Sequence, residues 1–197
     1  MKQLFARWTS IFVAVFAFST AVHAAPETFT LDKNHSYVLW SIEHLGFSTQ
    51  AGKWYATGQL VLDKEHPEQS KADISIHVAD VITGLPELDT HIKSKLFLDV
   101  DQYPKATFVS DKVRVLGKDT GDISGILTLR GVSKPVVLHV KFNKAGINPI
   151  TNKMTVGFSA TTSIKRSDFG MTALLPALGD TVDLKIEVEA SQDKKEG

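Results

Sequence analysis

Arg166, Asp168 and His44 are the residues whose type and position best suit them to polar chemistry. In the stretch 155–166, Val156, Phe158, Ala160, Thr162 and Ile164 fall on one parity of a period-two pattern, and Arg166 ends the same row. A strand sends alternate side chains to opposite faces, so Arg166 is expected to point inward at a strand end. A guanidinium keeps its proton under all ordinary conditions, and burying it demands a carboxylate, a phosphate, carbonyls or water. Asp168 lies two residues on and offers a carboxylate. The pair then either stitches the end of the fold or faces a ligand. His44 ends a comparable row behind Val38, Trp40 and Ile42. It is either a donor to a ligand headgroup or a core histidine satisfied by backbone. Trp54 opens a third inward row with Ala56, Gly58, Leu60 and Leu62. Phe47, Phe97, Tyr103, Phe108 and Phe169 fall near strand ends or on a helix, where they suit either an apolar pocket or a core.

Catalytic patterns are missing. The sequence carries no HExxH, GxSxG, phosphate-binding loop or GxGxxG. His35, His44, His66, His77, His91 and His139 lack the close paired spacing of a metal site, and His77 and His139 fall on outward parities. With no cysteine there is no disulfide framework, thiolate nucleophile or zinc ribbon. The 22 basic and 22 acidic residues balance, which argues against a partner held mainly by nucleic-acid phosphates. No cofactor fingerprint is present, and no cofactor is required.

The elements that must position these residues are strands. Alternation marks eight of them, over about 28–44, 52–63, 71–81, 104–116, 121–130, 133–144, 152–166 and 180–190, the first with a break near Asn34. Gly117–Thr120, Gly131–Ser133 and Gly146–Pro149 suit turns. One helix is expected where Pro86 fits a first turn and Leu88, Ile92 and Leu96 recur at i, i+4, i+8. A short helical turn is expected over 171–178. Eight antiparallel strands with one apolar face hide that face by closing into a barrel, which also removes sheet edges. A barrel of this size is filled by side chains or holds one small ligand, and a two-sheet sandwich is the alternative.

Residues 1–24 read as a secretory signal rather than part of the fold, with a retained membrane anchor as the alternative. Lys2 and Arg7 precede the apolar run Ile11–Phe18, and Val22 and Ala24 suit a cleavage site. Cleavage after Ala24 leaves a slightly acidic chain, because two basic and no acidic residues depart. The expected location is periplasmic or secreted, with the working domain over 25–190 and a polar, frayed tail over 191–197.

Four segments resemble the YceI-like family of secreted, lipocalin-like polyisoprenoid-binding proteins. They are Asp32–Ser36 with His44–Ser48, Leu96–Val100 with Tyr103–Phe108, Gly125–Val136, and Phe158–Thr162 continuing through Lys165–Met171 to Gly179-Asp180. Leu98 departs from the pattern, since many relatives carry phenylalanine there. The resemblance implies an all-β fold, an extended eight-stranded antiparallel lipocalin-like barrel with one packed helix. It implies an elongated cavity for an isoprenoid quinone, a polyprenyl phosphate or a fatty-acid derivative, with homodimers in some members. The expected ligand-binding set is then His44, Phe47, Trp54, Phe97, Tyr103, Phe108, Phe158, Arg166, Asp168, Phe169 and Met171. The activity so implied is holding or carrying such a lipid, with transient membrane contact for exchange. An enzyme acting on an isoprenoid quinone is the alternative.

Overall fold

A computed structural model describes residues 25–192, so the leader expected over 1–24 and residues 193–197 lie outside the described chain. Nine strands follow one another: β1 (Glu27–Leu31), β2 (Tyr37–His44), β3 (Ser48–Leu62), β4 (Lys71–Ile76), β5 (Ala106–Val115), β6 (Thr120–Leu129), β7 (Val132–Ile147), β8 (Met154–Lys165) and β9 (Leu178–Gln192). All pair antiparallel in the order β1-β3-β2-β9-β8-β7-β6-β5-β4, and β3 pairs with β4 to close the sheet. The result is a closed eight-stranded barrel, not a sandwich.

The ninth strand comes from the break expected near Asn34. β1 and β2 occupy successive stretches of the same slot between β3 and β9. Ser36 bridges the gap. Its hydroxyl, fully buried, donates to the Glu189 carbonyl at 2.9 Å and accepts from the Glu189 N–H at 3.2 Å. A single oxygen thus fills the place of a backbone pair, and the buried ladder groups stay satisfied where the strand is cut.

Alternation sets the faces as read from sequence. Val38 and Trp40 on β2, Ala56 and Leu60 on β3, Val156 and Ala160 on β8, and Leu178 and Ala190 on β9 are all buried. The β6–β7 connection is tighter than expected, with its two positive-φ residues at Arg130 (φ 49°) and Gly131 (φ 73°). A two-residue turn with both φ positive matches the twist of the flanking strands, so Val132 and Ser133 already belong to β7. Gly146 and Ile147 are likewise strand, and the reversal falls over 148–153. β9 continues through Ser191 and Gln192, two residues into the segment expected to be tail.

Helix α1 spans Pro86–Lys93, with Pro86 in its first turn. The Asp89 carboxylate accepts from the Thr83 N–H at 2.8 Å and the Thr83 hydroxyl at 2.6 Å, pinning the entry loop to the helix. Leu88 and Ile92 share its apolar face as expected and pack over the end of the barrel. Leu96 does not: the helix ends at Lys93, and Leu96 is exposed on the following turn. The helical turn expected over 171–178 is instead an irregular loop of turns, and a 3₁₀ segment precedes it at Arg166–Phe169, one of three with Pro67–Gln69 and Val78–Asp80 among the described residues.

Two apolar clusters fill the barrel. At the end nearer α1, Val78, Leu98, Ala106, Phe108, Leu127, Leu129, Phe169 and Met171 pack together. At the other end the cluster is Phe29, Leu31, Ala56, Leu60, Val156 and Ala190.

Candidate functional site

A cavity of about 230 Å³ opens at the α1 end of the barrel. β2 and β3 build one wall with Val38, Trp40, Ile42, Gln50 and Trp54. Ile164, Val182 and Leu184 of β8 and β9 extend it, and Leu88, His91 and Ile92 of α1 cover it. Leu45 and Leu174 line the cavity yet are 43% and 60% exposed, so they mark its mouth. The volume lies below the roughly 300 Å³ at which sites for small molecules usually begin. A long chain therefore enters only if side chains or the mouth loop move apart.

Arg166 sits at this mouth and is only 2% exposed. Its Nε donates to the Gly179 carbonyl at 2.7 Å. Nη1 donates to the carbonyls of Met171 and Ala173 at 2.6 and 2.8 Å, and Nη2 to that of Leu178 at 3.0 Å. Four of its five N–H groups are thus committed to backbone of the loop after Gly170 and of the first two residues of β9. Burial pushes its pKa below the ordinary value, the nearby Asp180 charge opposes this, and the guanidinium stays protonated. The expected partnership with Asp168 does not form. The 3₁₀ turn at Arg166–Phe169 leaves Asp168 exposed. Asp180 takes the structural carboxylate role, accepting from the Ser167 N–H at 2.9 Å and the Ser167 hydroxyl at 2.8 Å. A second guanidinium braces the same region from the β6–β7 turn. Arg130 donates to the carbonyls of Gly170 and Lys95, both at 2.9 Å.

Of the residues expected to meet a ligand, His44, Trp54, Phe97, Arg166 and Met171 line the cavity. The others do not. Phe108 and Phe169 are buried in the adjoining core, their rings turned to packing rather than to the cavity. Phe158 lies against Phe142, ring centroids 5.5 Å apart, beside the far cluster. Tyr103 lies over Gly131 at the β6–β7 turn, where that glycine leaves room for the ring. Asp168 is exposed, and Phe47, 90% exposed, stands at the tip of the β2–β3 turn just beyond Leu45.

Sequence reasoning missed Trp40 as a site residue although it stands in the same inward row as His44. Trp40 is 6% exposed and its indole lies across Gly52, its register partner on β3. A tryptophan facing a glycine across an antiparallel pair was the available signal. The Trp40 and Trp54 rings are 5.6 Å apart, tilted by 32°. Gln50, His91 and Leu174 also line the cavity and were not singled out.

Comparison with known proteins agrees with this architecture. The family model for the YceI-like domain matches residues 29–190. A UPF0312 protein of Pseudomonas putida (strain W619) is 38% identical over 188 residues, covering 92% of this chain and 97% of the relative. The crystal structure of the Campylobacter jejuni YCEI protein superposes with a TM-score of 0.67 at 31% identity, over 77% of this chain and 90% of that one. A polyisoprenoid binding domain from Saccharophagus degradans, implicated in plant cell wall breakdown, shares the fold with a TM-score of 0.65 at 15% identity, over 84% of this chain and 98% of that one. Barrel, helix and matched sequence together place the chain in the YceI-like family.

Proposed function

We propose that the protein is a periplasmic or secreted carrier that holds the tail of a polyisoprenoid lipid in the cavity between α1 and the β2–β3 wall. The observation that carries this reading is the cavity's lining. It is built almost wholly of aliphatic and aromatic side chains and opens through Leu45 and Leu174. Moving prenyl surface from water into such a wall is favourable by roughly 25 cal/mol per Å². The name of the Saccharophagus degradans neighbour supports the polyisoprenoid class, and the leader-like residues 1–24 support the compartment. The exposed turn Leu45–Phe47 beside the mouth suits brief contact with a membrane while the lipid crosses.

The reading is of a binder rather than an enzyme. The polar side chains of the described lining are His44, Gln50, His91 and Arg166, and no nucleophilic hydroxyl or carboxylate stands among them. Organic extraction of purified protein followed by mass spectrometry tests the proposal. A prenyl lipid recovered unchanged after incubation is the expected result. A protein that neither carries nor takes up any prenyl compound would end it.

A further inference from the structure

We infer that the rim of the cavity mouth is a docking face for a lipid bilayer, with the β2–β3 turn and the loop 171–177 as two neighbouring tips that enter the bilayer interface. The role of this face in loading rests on the reading of the barrel as a lipid carrier. The face itself rests on the residues of the rim.

Three observations carry it. First, the two tips form one patch. His44 at the end of β2 pairs with Leu178 at the start of β9, so the turn after His44 and the loop leading into Leu178 stand side by side. Leu45 and Phe47 on the one, and Leu174, Leu175, Pro176 and Ala177 on the other, are all exposed. Exposed apolar side chains scattered singly are ordinary, but a contiguous group marks a contact surface. Second, two of these side chains are held outward against the preference of their own backbone. Leu45 (φ 56°) and Leu174 (φ 61°) are left-handed, a conformation that glycine and asparagine take readily and leucine rarely does. Asp99, Arg130 and Asn152 are the other such residues with a side chain among those described, so both apolar cases fall at this mouth. Arg166 fixes the second tip through the carbonyls of Met171, Ala173 and Leu178. A costly backbone kept in order to hold a leucine in water calls for a partner to that leucine. Third, the tips carry no fixed charge. No Asp, Glu, Lys or Arg occurs over 45–52 or over 169–179. At the other end of the barrel, by contrast, the exposed Ile147 and Ile150 stand between Lys144 and Lys153.

A bilayer is the occupant these features fit. Leu45 and Leu174 line the cavity as well as the rim. A protein seated on them, a second copy included, would seal the mouth, whereas a bilayer both covers the leucines and offers the cargo. Entry only as far as the headgroup–acyl boundary keeps the backbone polar groups of both turns near water. With no basic side chain in either tip, attraction to anionic lipid adds little, and the contact is apolar.

The test measures co-sedimentation of the full chain with phosphatidylcholine vesicles, with and without added phosphatidylglycerol, at low and at high salt. Native protein is expected to dock on phosphatidylcholine alone and to keep its affinity in high salt. Leu45→Asn and Leu174→Asn are each expected to weaken docking roughly tenfold, the effect of one leucine partly withdrawn from water. Their urea midpoints are expected not to fall, because asparagine suits the left-handed backbone. Ile150→Asn, at the far end of the barrel, is expected to leave docking unchanged. Docking that needs phosphatidylglycerol and disappears in high salt overturns the inference, as does a loss with Ile150→Asn equal to that with Leu174→Asn. Midpoints that fall for both leucine variants assign these side chains to internal packing and overturn it too. A prenyl lipid offered in detergent, without vesicles, reads the carrier function separately. Uptake from detergent by a protein that stays off vesicles overturns the docking face and leaves the carrier reading standing. Docking without any uptake upholds the face and overturns the carrier reading.

Discussion

The Nη1 nitrogen of Arg166 lies 2.6 Å from the carbonyl oxygen of Met171, five residues ahead of it in the chain. This contact turns a buried charge into a clamp on the loop that edges the cavity mouth. Replacing Arg166 by methionine leaves the carbonyls of Met171, Ala173, Leu178 and Gly179 without that donor, and lysine cannot reach all four from one ammonium. Both variants are expected to lose roughly 3 kcal/mol of stability, read as a lower urea midpoint. Affinity for phosphate-headed and carbonyl-headed prenyl lipids should fall together. A selective loss for the phosphate would mean that Arg166 serves the ligand directly.

Gly58→Ala probes the barrel closure. Gly58 sits at φ 139°, and an added Cβ would overlap the backbone carbonyl of Asp73 on β4. Because the obstacle is backbone, the β3–β4 pairing itself must give way. A loss of about 3 kcal/mol or more is expected, measured by thermal or chemical unfolding. A native-like midpoint would contradict the described closure.

Acid should weaken the fold through three aspartates. Burial alone would raise the Asp180 pKa, but hydrogen bonds from the Ser167 N–H and hydroxyl, with the charges of Arg166 and Lys165, leave it below the ordinary 3.8. Asp122 is held down first by Arg114, at 2.6 Å, and then by His139, at 2.8 Å. Asp32 is lowered too: its burial acts upward, and the His35 and Asn34 hydrogen bonds outweigh it. A depressed carboxyl pKa stabilises above its unfolded value, and the contribution is lost as pH falls through the folded one. The Tm should therefore hold down to about pH 4 and then decline. Asp180→Asn should flatten that decline. His35 works the other way. Its hydrogen bond to Asp32 raises its pKa above 6.5, so its small surface contribution is complete below that value and fades as pH rises past the folded pKa.

Phe47 separates stability from exchange. At 90% exposure its side chain has almost no packing to lose, so Phe47→Ser should change the unfolding free energy by less than about 0.5 kcal/mol. Under the proposed membrane contact, uptake of a prenyl lipid from vesicles should slow while the equilibrium affinity stays the same. Unchanged uptake would remove Phe47 from the exchange step.

The barrel was legible because its signal is periodic. Val182, Leu184, Ile186, Val188 and Ala190 announce an inward face, and nothing in the strand competes with that pattern. The same rule put Arg166 and His44 on the inside. It could not name the partners of Arg166, because four carbonyls carry no side-chain signature and come from a loop, whose path no period encodes, and from the start of β9 that it leads into. Asp168 was the nearest carboxylate in sequence, but a 3₁₀ turn directs successive residues around an axis and left it outside. Aromatic type alone did not separate Phe97, on the cavity wall, from Phe108, in the core, or from Phe47, at a turn tip. That distinction depends on which rings meet across the barrel.

The cluster around Phe29 and Ala190, both fully buried, has a consequence for the cargo. None of Phe29, Leu31, Ala56, Leu60, Val156 and Ala190 lines the cavity, so the far end of the barrel is a solid floor. Such a floor acts as a ruler. Isoprene units beyond its depth gain nothing inside and must trail out between Leu45 and Leu174, so affinity should climb with tail length and then level off at the length the floor allows.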